Sequence, residues 1–115
     1  MERDDPFAES CPHGHPGFYQ LLCQMAKVHS DKNHDYAGFG DHLANFKLCE
    51  HMGIPAWKGA LVRICDKVAR LWSFAERGEL NVAEERVEDT LIDLAVYSIL
   101  TVLLFKEREG AGDGD

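Results

Sequence analysis

The chain has 115 residues, 45% of them hydrophobic and 10% aromatic, which suits one domain with a core and excludes a disordered polymer. Its 20 acids against 12 Lys and Arg give a formal charge of −8, which excludes a general binder of nucleic-acid polymers or of anionic membranes. The acidic start Met1–Glu9 does not read as a signal peptide, and the longest apolar stretch, Leu94–Phe105, is too short to cross a bilayer, so a cytoplasmic protein is expected.

Residues 1–16 hold three of the four prolines and no apolar period, and read as an irregular N-terminal arm. The spacing of Phe18, Leu21, Leu22, Met25 and Val28 predicts a helix over 17–30. Residues 31–41 are polar, are broken by Gly38 and Gly40, and read as a loop. A short helix is expected over 42–51, ended by Gly53, with Pro55 suited to the first turn of the next helix. That third helix spans about 56–77 and stops at Gly78. Its stripe is Trp57, Leu61, Ile64, Val68, Leu71, Trp72 and Ala75.

Asn81 is a fitting N-cap with Glu84 as its capping-box partner, so the fourth helix is expected over 82–107. Residues 108–115 read as a disordered acidic tail. The two ends, 1–9 and 107–115, carry six of the eight excess negative charges, and the body is nearly balanced. The expectation is an all-α domain over 17–107. It is an antiparallel helical bundle of three long helices and one short helix, completed by dimerisation. Val62 and Ala69 lie nearly opposite the main stripe of the third helix, and the fourth is apolar nearly all round from Leu94 to Phe105. A monomer would leave part of that surface wet.

The four cysteines, Cys11, Cys23, Cys49 and Cys65, are widely spaced and read as reduced thiols, with Cys23 and Cys65 as small core residues. Cys11, His13 and His15 alternate as half of a zinc site, but no second half accompanies them.

The chemistry-bearing signal lies on the fourth helix. Glu85, Asp89 and Asp93 recur every four residues and fall within about 80° of one face, with Glu88 at its edge. The same face continues into Val96, Leu100 and Leu103, so the acids point toward an interior or a partner. Asp93 is the one charged residue from Thr90 to Phe105 and needs a cation, donors or a proton. A divalent cation would resolve both that cost and the mutual repulsion, and an all-carboxylate set favours Mg²⁺, with Mn²⁺ as its substitute. A structural pair between Asp93 and a Lys or Arg is the other solution. On the third helix, Arg63, Lys67 and Arg70 form a basic stripe, suited either to phosphate oxygens or to ion pairs with the fourth helix. In the segment 29–46, Lys32 suits a phosphate, Asp35 and Asn45 a base or sugar, and Tyr36, Phe39 and Phe46 the wall of a nucleobase pocket. An ordinary turn is the plainer reading of that segment.

The order KNHDYAGFGDHLANF, MGIPAWKGALVRICDKVARL, EERVEDTLIDLAVY resembles the all-α NTP pyrophosphatase superfamily, the MazG and dimeric dUTPase-like group. It is most similar to a phage and bacterial branch associated with nucleotide modification. The likeness covers about residues 18–105 and implies Mg²⁺-dependent hydrolysis of a nucleoside triphosphate to monophosphate and pyrophosphate. It also implies a homodimer or tetramer, in a bacterial or phage-infected cell. By this resemblance Glu85, Asp89 and Asp93 match the acidic motif, and Asp66, Lys67 and Arg70 match a DKxxR segment. Lys32, Asp35 and Tyr36 match a K-x-x-D-Y entry. The usual E-x-x-E pair on the preceding helix is replaced by Asp66 alone.

The resulting assignment makes Asp66, Glu85, Asp89 and Asp93 metal ligands. Glu85 or Glu88 takes the water's proton, Lys67 and Arg70 neutralise the leaving group, and Lys32, Asp35, Tyr36, Asn45 and Arg63 bind the nucleotide. The alternatives are a nucleotide-binding or sequestering protein without turnover, and a helical interaction module whose acids make intersubunit ion pairs.

Overall fold

The computed structural model describes residues 3–36, 43–78 and 87–110, apart from the side chains of 33–36, 45, 109 and 110. The described residues form three α-helices and two 3₁₀ turns, with no strand among them. None of these helices is long and apolar enough to cross a membrane. The chain divides into two compact units, residues 1–38 and 39–115.

In the first unit, α1 spans Pro16–Tyr36. Pro16 opens it, where a missing N–H costs nothing, and His15 Nδ1 accepts the amide N–H of Gly17 at 2.8 Å as a side-chain cap. The helix passes through Asp31–Tyr36, where the sequence predicts a loop. No Gly or Pro interrupts it before Gly38, and Lys27 pairs with Asp31 one turn on at 2.9 Å. Polarity alone therefore does not end a helix.

The arm is irregular, as expected, but it is wrapped around Tyr19. The Arg3 guanidinium lies 3.6 Å from the centre of the Tyr19 ring. It also grips Asp5 through two N–H···O bonds, at 2.8 and 3.1 Å, and donates to the Cys11 carbonyl at 2.6 Å. Tyr19 donates its hydroxyl to the His13 carbonyl at 2.7 Å, and Phe7 stacks at a tilt against the same ring. Gly14 turns beneath the ring at φ 107°, where an L side chain is strained.

In the second unit, α2 spans Ala56–Arg77 and α3 spans Val87–Gly110. They run antiparallel. Trp57 meets Phe105 edge to face at 5.2 Å near one end, and Lys67 meets Asp93 farther along. Between them lie Ala56, Ala60, Leu100 and Leu104, joined by Leu43. The two alanines let the helix axes approach closely. Thr90, fully buried, lies in the first turn of α3. The left-handed Gly78, at φ 79°, ends α2 as expected. The expected start of the fourth helix, with Asn81 and Glu84, lies outside the described residues. At its other end α3 continues through Arg108–Gly110, three residues expected in the tail.

The expected helix over 42–51 is replaced by two 3₁₀ turns, Ala44–Phe46 and Leu48–Met52. A 3₁₀ path repeats every three residues, and Leu43, Phe46 and Cys49 follow that spacing. Leu43 is buried, and Phe46 packs against the core. Cys49 sits on α2 where Gly59 leaves room, since a Cβ there would lie 2.7 Å from the Cys49 sulfur. Lys47 pairs with Glu107 of α3 at 2.8 Å. The segment therefore covers one flank of the α2–α3 hairpin.

The single predicted stripe on α2 divides in two. Trp57, Ile64 and Leu71 are half-buried, whereas Leu61, Val68, Trp72 and Ala75 are exposed. Cys65, expected in the core, is exposed with the second group, and Cys23 is half-buried.

Candidate functional site

The flank covered by the 3₁₀ turns gathers charge and aromatic surface in one place. Lys67 of α2 reaches across to α3, its Nζ 3.2 Å from Asp93 Oδ2. The lysine side chain is 16% exposed and the aspartate 40%. One turn from Lys67, the Arg63 guanidinium covers the Phe46 ring at 4.8 Å from its centre. One turn from Asp93, the Tyr97 ring stands edge-on to Phe46 at 5.9 Å. Tyr97 lies 5.9 Å from Lys67 Nζ and 6.0 Å from the Arg63 guanidinium.

Three segments thus supply two cations, two rings and one carboxylate, each on a backbone position set by helix periodicity. The cations are held by different means. Lys67 faces a carboxylate, while Arg63 lies over the negative faces of rings and has no hydrogen-bond acceptor among the described residues. Such a cluster can take phosphate oxygens on the guanidinium and ammonium, and a planar group against the rings.

Of the residues predicted for the site, the structure brings together Arg63, Lys67 and Asp93. Asp89 lies one turn before Asp93 on the same side of α3 and is exposed. Arg70, three residues beyond Lys67, is exposed. Asp66 is exposed and, as the neighbour of Lys67, is turned about 100° away around α2. Glu88 is exposed, about 140° around α3 from Asp93. Lys32 is exposed on α1, in the other compact unit. The backbones of Asp35 and Tyr36 are helical and that of Asn45 is in the first 3₁₀ turn, with their side chains outside the described set. Glu85 lies outside the described residues altogether.

Among the described residues, no three His, Cys, Asp or Glu side chains group as a metal site. Asp89 and Asp93 are nonetheless the donor type that Mg²⁺ uses. It takes one or two protein carboxylates and completes its shell with water and substrate phosphates. Tyr97 is the residue that sequence reasoning missed. Its signal was its place four residues after Asp93, which puts an aromatic directly above the acid on the same helix face.

Neither a family model, nor a curated protein, nor a solved structure matches the chain.

Proposed function

We propose that the second unit binds a nucleoside triphosphate and hydrolyses it, with Mg²⁺, to a nucleoside monophosphate and pyrophosphate. The observation that carries this reading is the convergence of Arg63 and Lys67 with the Phe46 and Tyr97 rings beside Asp93. Phosphate and base are the two chemistries of a nucleotide, and the cluster offers a partner for each.

In this reading the incoming phosphates compete with Asp93 for Lys67. Phosphate oxygens take the ammonium and the Arg63 guanidinium, and Asp93 is released toward Asp89. Asp89 and Asp93 would hold Mg²⁺, which would supply Lewis-acid activation of water. Glu85 accepts the proton of the attacking water, whose oxygen bonds to the α-phosphorus as the bond to the bridging α–β oxygen breaks; Glu88, the other base expected from the sequence, is turned away from Asp93 around α3. Lys67 and Arg70 balance the charge that collects on the departing pyrophosphate. Asn45, in the first 3₁₀ turn of this unit, is assigned to the base or sugar by its amide chemistry.

A second reading is favoured by the Lys67–Asp93 pair itself. An acid already neutralised by a lysine suits a protein that binds nucleotides without turning them over. A panel of NTPs and dNTPs with Mg²⁺, with products identified, separates the two. Monophosphate and pyrophosphate, lost in Asp93→Asn, support the hydrolase. Binding without product supports sequestration. Neither binding nor product removes both.

A further inference from the structure

Lys67 occupies the acid that α3 would offer to a cation. Its Nζ stands 3.2 Å from Asp93 Oδ2, and Mg²⁺ on that carboxylate would stand about 2.1 Å from its oxygen. An ammonium and a dication so placed repel each other, and one must leave. Asp89, one turn earlier on α3 and exposed, is the second carboxylate of the proposed site. While Lys67 stays, a cation can take Asp89 but not Asp93.

The lysine is built into this place. Its side chain is largely enclosed, whereas the carboxylate still meets water. The Tyr97 ring, one turn beyond Asp93 on α3, lies 5.9 Å from the ammonium. An enclosed stem has already lost most of its rotamer freedom, so holding the pair costs little further entropy. The lysine also has somewhere else to go. Arg63 lies one turn away on α2, so a phosphate chain that reaches the guanidinium also reaches Lys67. Phosphates carry more charge and more acceptor oxygens than a carboxylate, and can take the ammonium from Asp93.

We propose that Lys67 is a guard on metal loading, which keeps a divalent cation off Asp93 until phosphate oxygens draw its ammonium away. The inference rests on the hydrolase reading for the cation and its two acids, and adds the order in which the site fills. Without phosphate, the site keeps its internal ion pair. With phosphate, Lys67 turns to the phosphate oxygens, and Asp93 joins Asp89 beside them. Metal and phosphate therefore favour each other at the site. The guard is one charge at one place. Lys58, exposed on the same helix, carries the same charge about 13 Å farther along α2 and has no part in it.

Electron paramagnetic resonance of free Mn²⁺, titrated with the full chain and no nucleotide, tests it, with helicity followed by circular dichroism. The native chain is expected to bind Mn²⁺ weakly, and Lys67→Met about fivefold more tightly, the worth of a partly exposed ion pair. Adding Asp93→Asn to Lys67→Met is expected to abolish the gain. Lys67→Arg keeps the charge and is expected to keep the weak binding, and Lys58→Met is expected to change nothing. If Lys67→Met loses helicity, Lys67→Gln decides, since its amide still donates to Asp93 without a charge. Equal affinity in the native chain and the neutral variant overturns the proposal. So does a gain that Lys58→Met matches, a gain that survives Asp93→Asn, or a lack of Mn²⁺ binding throughout. None of these titrations contains nucleotide, so their outcome is separate from that of the panel that tests hydrolysis.

Discussion

Lys67 and Asp93, on different helices and 26 residues apart, meet at 3.2 Å. Each is enclosed enough to need a partner and open enough to exchange it. A fully buried pair would be locked by the cost of separating its charges, and a fully exposed one would contribute nothing to position. This pair joins α2 to α3 and holds the one acid that the apolar run of α3 does not hide.

Removing both members tests the structural part of that role. Lys67→Met and Asp93→Asn, singly and together, should show a coupling of up to about 1 kcal/mol in urea unfolding, because the aspartate remains in contact with water. Zero coupling would mean that the geometry contributes nothing to the fold.

Asp93→Asn has a separate consequence under the proposed hydrolase. Mg²⁺-dependent pyrophosphate release should be lost while far-UV circular dichroism is unchanged. Retained turnover would take Asp93 out of the mechanism.

Arg63 lies over Phe46 by virtue of a planar cation, and a lysine lacks that plane. Arg63→Lys should therefore weaken nucleotide binding about tenfold, an effect on the order of 1 kcal/mol, although the charge is kept. Calorimetry with a non-hydrolysable triphosphate measures it. Equal affinity in the lysine variant would reduce Arg63 to a point charge.

Gly59 allows the Cys49 sulfur to rest on α2. Gly59→Ala should cost about 1–3 kcal/mol through overpacking, despite the better helix propensity of alanine. Cys49→Ala in the same chain should recover much of the loss. A stabilised Gly59→Ala variant would show that the 3₁₀ segment is free to shift.

The arm has its own pH dependence. Hydrogen bonds from Arg3 chiefly, and from the Phe7 amide, hold the Asp5 carboxyl below the usual carboxylate range. A lowered pKa means that the folded arm binds the proton less readily than the unfolded chain does. The stabilisation from Asp5 is thus complete above about pH 4 and is lost as pH falls through the lower value of the folded state. The ring environment of Tyr19, followed by NMR, should change over that acid range, and Asp5→Asn should remove the dependence. An identical titration in the variant would assign it to another group.

The helical class, the bounds of α2 and the stop at Gly78 were legible in the sequence, because periodicity, a leading proline and a left-handed glycine act locally. The extension of α1 to Tyr36 was less so, since residues such as Lys32 and Asp35 are compatible with helix and loop alike, and Lys27–Asp31 pairing tips the balance. The 3₁₀ path through Leu43, Phe46 and Cys49 was hidden, because it answers to the surface of α2.

By itself the sequence determined that the second half of the chain forms amphipathic helices, that Asp93 must find a partner, and that basic residues edge the neighbouring helix. Helix periodicity and the cost of an isolated carboxylate require this whatever the packing. Tertiary structure decided that Lys67 is that partner, that Phe46 and Tyr97 close around Arg63, and that the apolar stripe of α2 divides into a half-buried set and an exposed one. These outcomes depend on how two helices turn about their axes when Ala56 and Ala60 let them approach, a rotation that local spacing leaves undetermined.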